Sequence, residues 1–273
     1  MLGQDKLVEQ LNSYTLSTFP KTSMLLGEVG SGKHTLANYI SNHLGIDLID
    51  ITESISTDTI NEMYSNTVPT MYLINIDEVS YNKQNTLLKV LEEPVQCAYI
   101  MLLSTTTDNR FVLETILNRC IVFNLEKYSK ETLKQFVTKK ELEMMLLDIA
   151  DTPGQLITLQ QGNVDYDAMY NLADTIIEKM NIANYANMLT IVTQFNFKDE
   201  YDKYDPVAFL KVMCMKLRYK IQLAQTKKDV DLYTDLLLKT TQIIELLPIS
   251  RFNKENMFTS YLCQYWEDVR KEH

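Results

Sequence analysis

The chain has 273 residues, of which 45% are hydrophobic and 23% charged, with only 7 Gly and 6 Pro. This composition excludes a disordered or fibrous chain and allows one large domain or two to three small ones. The 36 acidic and 26 basic residues give a net charge of −10, whereas a protein that binds DNA over its whole surface is usually basic. We therefore expect either that DNA is contacted by a small local patch or that other subunits supply most of the positive charge.

No apolar run reaches the roughly 18 residues of a membrane span, and the first residues lack the layout of a signal peptide. We therefore expect a cytoplasmic protein without a membrane partner. The four cysteines, Cys97, Cys120, Cys214 and Cys263, are far apart and form no CxxC pair. This spacing predicts no zinc site and favours buried thiols in a reducing compartment.

Short apolar runs alternate with amphipathic stretches over the first 125 residues. The runs lie at residues 23–26, 46–49, 71–76, 99–103 and 121–123. Several are almost continuously apolar, as is typical of strands buried on both faces of a parallel sheet. Between two of them, Leu87, Leu88 and Leu91 share a helical face, and that pattern stops at Pro94. The alternation predicts an α/β layer fold.

The strand signal fades after residue 125. Ser129, with Thr132 three residues later, indicates a helix start, and residues 151–154 mark a turn. From Tyr166 onward the sequence predicts successive helices. Breaks between these helices are expected near residues 196–198, 227–229 and 248–250.

The segment GEVGSGKHT, residues 27–35, follows a predicted strand and opens a predicted helix, which is the context of a phosphate-binding loop. Its glycines let backbone N–H groups turn toward a polyphosphate, the helix N-terminus adds its positive dipole end, and the lysine reaches the β- and γ-phosphates. The candidate nucleotide-binding residues are Gly27, Gly30, Ser31, Gly32, Lys33, His34 and Thr35.

One position departs from the usual pattern of such loops. The residue after the lysine is normally Ser or Thr, whose hydroxyl ligates Mg²⁺, and here it is His34. Imidazole is a poor ligand for this hard cation, and Thr35 points about 100° further round the helix. The loop still predicts that the chain can bind ATP with Mg²⁺. Because the hydroxyl ligand is missing, hydrolysis by this chain is expected to be weak or absent.

A second candidate segment is the apolar run that ends in Asp77 and Glu78. In a P-loop ATPase, Asp77 would hold Mg²⁺ directly or through water, and Glu78 would polarise the attacking water. We predict catalytic roles for both residues, with Asp77 as the metal ligand.

Four segments together resemble the sliding-clamp loaders, a family of AAA+ proteins. The segment IDEVSYNKQNTLLKVLEEP, residues 76–94, is similar to the clamp-loader signature, and residues 103–106 resemble the sensor-1 segment. TILNRC, residues 115–120, resembles the TI-SRC motif with Asn118 in place of Ser, and Gly3-Gln4 resembles the opening GQ segment. The segments occur in the family's order, and the resemblance extends over most of residues 1–135.

The resemblance implies site residues and a domain layout. Arg119 is expected to act in trans as an arginine finger on a neighbour's ATP, and Thr105 to sense the γ-phosphate. The implied layout is a P-loop AAA+ domain with a parallel sheet (1–125), a small helical lid domain (126–164) and an all-helical collar domain (165–273).

The positions at which this sequence departs from the clamp-loader pattern indicate which type of subunit it resembles. The sensor-2 segment, usually a helix start carrying an Arg, aligns with residues 152–157, where Gln155 stands and no Arg is present. Without sensor 2 and the metal-binding hydroxyl, the chain resembles the bacterial DNA polymerase III delta-prime subunit, in a phage-encoded or minimal version without the zinc module. The implied partners are the other clamp-loader subunits in a hetero-oligomer, the sliding clamp and primer–template DNA.

Other functions stay open on the sequence alone. Lys33, Asp77 and Glu78 permit an ATP-hydrolysing motor subunit of the tau/gamma or small-subunit type, against which His34 and Gln155 argue. A self-assembling AAA+ helicase or remodelling ATPase is a rival from a different class. A small-molecule kinase is disfavoured by the helix after the acidic strand and by the Arg119 segment.

Overall fold

The computed structural model describes residues 3–93, 95–161, 165–179, 190–195, 204–247 and 253–272. The chain divides into two compact units, residues 1–137 with 151–157, and residues 138–150 with 158–273. The sheet belongs to the first unit, and the second is built from helices. Pro94 and the predicted breaks at 196–198 and 248–250 lie outside the described residues. The predicted domain boundaries after residues 125 and 164 stay predictions.

A five-stranded parallel sheet forms the centre of the first unit. Its strands are β1 (Thr22–Leu26), β2 (Asp47–Asp50), β3 (Thr70–Asn75), β4 (Ala98–Ser104) and β5 (Ile121–Asn124). Their order is β2-β3-β4-β1-β5, and every pairing is parallel. The three central strands are buried along most of their length, which explains their continuous apolar runs. The sheet confirms the predicted α/β fold with a parallel sheet.

Helices precede, connect and follow these strands. They are α1 (Asp5–Asn12), α2 (Lys33–Leu44), α3 (Thr57–Ser65), α4 (Tyr81–Glu92), α5 (Glu114–Leu117) and α6 (Lys130–Lys134). Ser56, Ser80 and Ser129 each accept a hydrogen bond from the backbone N–H three residues on, which satisfies one donor at the start of α3, α4 and α6. The predicted helix start at Ser129 is therefore confirmed.

Helix α4 buries a polar side chain that the hydrophobic pattern did not indicate. Its fully buried side chains include Gln84, Leu87 and Leu91, whereas Leu88 is only partly buried. The Gln84 amide donates to the carbonyl oxygens of Phe111 (2.8 Å) and Val79 (3.3 Å). Its Oε1 accepts from the backbone N–H of Leu113 at 3.0 Å. Gln84 thereby ties α4 to the segment that leads into α5.

The opening Gly-Gln pair is explained by a similar buried contact. Gln4 is completely buried, its Nε2 donates to the carbonyl of Glu126, and its Oε1 accepts from the N–H of the same residue, both at 2.8 Å. The side chain thus imitates a strand neighbour for the backbone that follows β5. Gly3, with φ 76°, lies against the ring of Tyr128, where a Cβ would be only 3.0 Å away.

Helices make up the rest of the described chain. They are α7 (Glu143–Ile149), α8 (Pro153–Gln161), α9 (Tyr166–Lys179), α10 (Pro206–Leu223), α11 (Lys227–Leu246) and α12 (Lys254–Glu272). Two local predictions need correction. Pro153 begins a helix where a turn was expected, because its fixed φ suits the first helical position. The break expected at 227–229 is the first turn of α11, capped by Thr226.

The apolar side chains of α10 are buried within their own unit. Phe209, Leu210 and Leu217 are fully buried, and Phe209 and Phe258 both lie against Phe195 with ring centroids 4.8 and 4.5 Å away. These residues form the core of the helical unit. Within the part of the chain that the structure describes, no helix has both the length and the apolar character needed to cross a bilayer.

Replacing Gln84 with Ala is expected to destabilise the first unit by about 2–4 kcal/mol, because it removes three buried hydrogen bonds to the backbone. The measurement is urea unfolding followed by circular dichroism, together with hydrogen exchange at the Leu113 amide, which should accelerate. Asn85→Ala is the control, since Asn85 is exposed on the same helix and should change stability by no more than about 0.5 kcal/mol. Equal effects of the two variants would contradict the assigned role of Gln84.

Candidate nucleotide site and arginine finger

The phosphate loop connects β1 to α2. Gly30 and Gly32 have φ angles of 78° and 93°, in the left-handed region where a side chain is strained. Helix α2 begins at Lys33, with Gly32 as N-cap and no side-chain cap on its first N–H groups. The N-terminus of α2 therefore presents backbone donors and the positive end of the helix dipole to an anion.

Lys33 is bound to the loop itself. Its Nζ donates to the carbonyl oxygens of Gly27 (2.6 Å) and Glu28 (3.0 Å), and the residue is only 9% exposed. Burial lowers the pKa of the Lys33 ammonium, and the nearby charges of Asp77 and Glu28 oppose that shift. A bound phosphate would replace these two carbonyls as the acceptor for the ammonium.

His34 and Thr35 are both exposed on the first turn of α2. His34 borders an open cavity of about 420 Å³ whose lining also includes Asp50, Glu53 and Glu78. The predicted loop residue and the predicted water-polarising carboxylate thus share one cavity. The carboxylates in its lining give it a negative potential.

The acidic end of β3 is held by the neighbouring strand. Asp77 and Glu78 lie in a single 3-10 turn, Ile76–Glu78. The Asp77 carboxylate accepts from Ser104 Oγ at 2.9 Å and from the backbone N–H of Thr105 at 2.8 Å. Thr105, predicted as a γ-phosphate sensor, therefore contacts the predicted metal ligand through its backbone.

Glu78 is turned toward its own strand. Its Oε1 accepts a hydrogen bond from Asn75 Nδ2 at 2.6 Å. The backbone N–H of Asn75 in turn donates to Thr52 Oγ1 at 2.9 Å, which ties this corner to the end of β2. This bond occupies one of the two carboxylate oxygens of Glu78.

The start of α8 covers the outer turn of the phosphate loop. The backbone N–H of Gly154 donates to the carbonyl of Gly30 at 2.9 Å, and Thr152 Oγ1 donates to the carbonyl of Val29 at 2.8 Å. A Cβ on Gly154 would lie 2.5 Å from the Gly30 Cα, so only glycine allows this approach. Residues 152–157 are the segment that the resemblance implied as sensor 2, and Gln155 lies there with its Oε1 accepting from the N–H of Asp151.

The loop residues fit a phosphate better than they fit a directly bound magnesium ion. The two left-handed glycines, the uncapped helix start and the buried Lys33 form a cradle for an anion. Ser31 Oγ is buried and, within the described part of the chain, has no hydrogen-bond partner. The oxygen donor set for Mg²⁺ is poorer, since His34 occupies the hydroxyl position and Asp77 already accepts from Ser104 and Thr105.

Arg119 lies at the opposite, amino-terminal edge of the sheet. Its carbonyl oxygen accepts from Thr22 Oγ1, in the first residue of β1, at 2.5 Å. Its Nη1 donates to the carbonyl of Thr115 at 2.6 Å, and its Nη2 donates to Glu92 Oε1 at 2.5 Å. The side chain is 31% exposed, beside the half-exposed Ile121 of edge strand β5. The structure thus separates Arg119 from the residues of the phosphate loop.

Sequence reasoning missed several residues that shape these sites. Ser104 and Asn75 hold the acidic turn, Gly154 packs on the loop, and Tyr128 donates its hydroxyl to the carbonyl of Ser31 at 2.8 Å. The polar residues at the ends of two apolar strands were a usable signal for Ser104 and Asn75. Gly154 and Tyr128 gave no such signal, because their partners are about 100 residues or more distant in sequence.

Residues 45–129 match the family model described as "DNA polymerase III, delta subunit". This segment is just under a third of the chain and contains the acidic turn, α4 and Arg119, but not the phosphate loop. Over these residues the chain is similar to that clamp-loader family.

The structure is also similar to solved structures of RuvB from Thermotoga maritima. For one mutant the identity is 16% and the TM-score 0.47, with 97% of this chain and 89% of that chain covered. For a second mutant the values are 18% and 0.46, with 80% and 78% covered. Scores at this level carry no information on activity. No curated protein matches the sequence significantly.

Substituting Gly154 with Ala is expected to separate α8 from the phosphate loop, because the new methyl group would meet the Gly30 backbone. Hydrogen exchange at residues 27–33 should accelerate, and stability should fall by about 1–3 kcal/mol. Gly45→Ala is the control. A Cβ there meets nothing within 4 Å, so its left-handed φ costs stability without altering exchange in the loop. Unchanged exchange in Gly154→Ala would contradict the contact.

Proposed function

We propose that this chain is a clamp-loader subunit of the delta-prime type, which donates Arg119 in trans to ATP bound by a neighbouring subunit. In this role it belongs to the DNA polymerase III holoenzyme and acts in DNA replication. It hydrolyses its own nucleotide weakly or not at all.

One observation carries the trans assignment: Arg119 and the phosphate loop lie at opposite edges of the sheet. Thr22 begins β1 and binds the Arg119 carbonyl, whereas the loop begins after Leu26 at the other end of the same strand. A five-residue parallel strand rises about 13 Å from its first to its last Cα. The guanidinium, bound to Thr115 and Glu92 at the amino edge, therefore cannot reach a phosphate held by its own loop.

A guanidinium at such an edge suits the chemistry of phosphoryl transfer. Charge builds up on the transferred γ-phosphoryl group, and an arginine supplied by a neighbour stabilises that charge. Arginine stays protonated at physiological pH and presents several donors in a planar fork that matches phosphate oxygens. The 31% exposure of the Arg119 side chain supports its access to a docked subunit.

The chain's own loop supports nucleotide binding more than turnover. In ATP binding, Lys33 and the N-terminus of α2 would hold the phosphates, and Mg²⁺, when bound, would neutralise part of their charge. His34 in place of the hydroxyl, Glu78 held by Asn75, and Gln155 in the implied sensor-2 segment each weaken hydrolysis. These departures favour a stator, a subunit that donates its arginine to a neighbour's ATP and need not hydrolyse its own, over an ATP-hydrolysing motor subunit.

The proposed partners are the ATPase subunits of the loader, the sliding clamp and primer–template DNA, in a cytoplasmic hetero-oligomer. The net charge of −10 supports a division of labour in which other subunits supply most of the positive charge around DNA. Residues 126–164 would act as the lid, and residues 165–273 as the collar that holds the subunits together. Because the apolar face of α10 is already buried, collar contacts would use exposed side chains such as Tyr219, Leu223 and Leu238.

Arg119→Ala is expected to abolish ATP turnover at the site next to this subunit in the assembled loader, since a trans arginine contributes roughly 10³–10⁵-fold to turnover. The measurement is DNA-stimulated ATPase of the complex reconstituted with its partner subunits and clamp. Arg110→Ala is the matched control, because Arg110 is also exposed and paired with a carboxylate, that of Asp108. Arg110→Ala should retain normal turnover.

Two outcomes would count against the proposed function. Normal ATP turnover in the Arg119→Ala complex would rule out the arginine-finger role of Arg119. Vigorous ATPase in the isolated chain would favour a motor subunit, or, if the chain alone also assembled into rings, a self-assembling AAA+ ATPase.

His34→Thr is expected to raise nucleotide affinity in the presence of Mg²⁺, because the new hydroxyl supplies the oxygen ligand that imidazole cannot. Isothermal titration calorimetry with ATP, with and without Mg²⁺, measures the effect. His43→Thr, at the far end of the same helix, is the matched control and should bind like the unmodified chain. If Mg²⁺-dependent affinity does not rise, His34 is not the limiting defect.

A further inference from the structure

Helix α4 ends beside the finger. Its last residue, Glu92, accepts the hydrogen bond from Arg119 Nη2, and the two side chains form an ion pair with an N···O distance of 2.5 Å. We propose that Glu92 is a positioning residue for Arg119, which presents the guanidinium to the neighbour's triphosphate in one orientation. This inference rests on the proposed function.

The contact orients the guanidinium without using up its donors. A guanidinium carries five N–H groups in a fixed plane. Arg119 donates one to Glu92 and one to the carbonyl of Thr115, so donors remain for phosphate oxygens while the plane is held. A long, flexible side chain that is already oriented loses less rotamer freedom when it binds.

Hydrogen bonds to the backbone hold the two segments that carry Glu92 and Arg119. The carbonyl of Arg119 is bound by Thr22 at the start of β1. At the other end of α4, Gln84 binds the backbone of residues 111–113, just before α5 and Arg119. Because α4 is a 12-residue helix of about 18 Å, Glu92 and Arg119 are held in one register by contacts at both ends of the helix.

Stability alone does not account for this pair. The Glu92 side chain is 52% exposed and that of Arg119 31%, and ion pairs of such exposure contribute little to folding. A positioning role, in contrast, affects the transition state of the neighbour's reaction. The two roles therefore predict different results for the same substitution.

The test compares Glu92→Ala and Glu92→Gln in the reconstituted loader, using DNA-stimulated ATPase as the measurement. Glu92→Ala should lower the turnover number about two- to fivefold, with the KM for ATP unchanged, because a finger acts on the transition state. Glu92→Gln keeps an acceptor oxygen at the same place, so its turnover number should fall less than that of Glu92→Ala. Glu93→Ala is the matched control, since Glu93 is the adjacent exposed carboxylate, and it should retain full turnover.

A double-mutant cycle then separates positioning from a general effect. In the Arg119→Ala background, Glu92→Ala should cause no further loss, because it acts through Arg119. An equal loss in both backgrounds, full activity of Glu92→Ala, or a rise in turnover would overturn the inference; a rise would mean that Glu92 withholds the finger. If Arg119→Ala alone has no effect, the proposed function itself fails. The effect of Arg119→Ala thus tests the proposed function, and the effect of the Glu92 variants tests the positioning role separately.

Discussion

The parallel pairing of β4 between β1 and β3 is the constraint on which both sites depend. Its register sets Leu26 opposite Ser104 and Asn75 opposite Leu103. The phosphate loop, the acidic turn and the polar end of β4 therefore meet at the carboxyl edge of the sheet, and Ser104 and Thr105 reach Asp77. A slip of one residue would turn every side chain of β4 to the other face and separate Ser104 from Asp77.

The same pairing keeps two functions apart. The residues proposed to hold a nucleotide lie at the carboxyl edge, whereas Arg119 lies at the amino edge, two residues before Ile121 of the edge strand β5. Helix α4 runs from the acidic turn at one edge to Glu92 at the other. Because the two ends of β1 lie about 13 Å apart, a residue such as His34 can alter the first site without displacing Arg119.

How much of this was predictable depends on whether the determining contact is local. The five strands could be predicted because their apolar runs are short, dense and punctuated by helical patterns, and Ser129 marked its helix through a local cap. The burial of Gln84 and the approach of Gly154 to Gly30 could not, since each depends on segments distant in the sequence. The placement of Arg119 was expected only through its resemblance to a known motif, and its pairing with Glu92 required the fold that brings the end of α4 to the start of β5.

Electrostatics explains why position 34 carries such weight. The cavity beside α2 is bordered by Asp50, Glu53 and Glu78, whose charges would repel the phosphates of a nucleotide. The loop's positive charge comes from the N-terminal end of the α2 dipole and from Lys33. Burial lowers the pKa of that lysine, which weakens its contribution. A magnesium ion would normally offset the carboxylates, and it needs an oxygen ligand at the start of the helix. With imidazole at this position a metal would lack that ligand, and less of the repulsion would be offset.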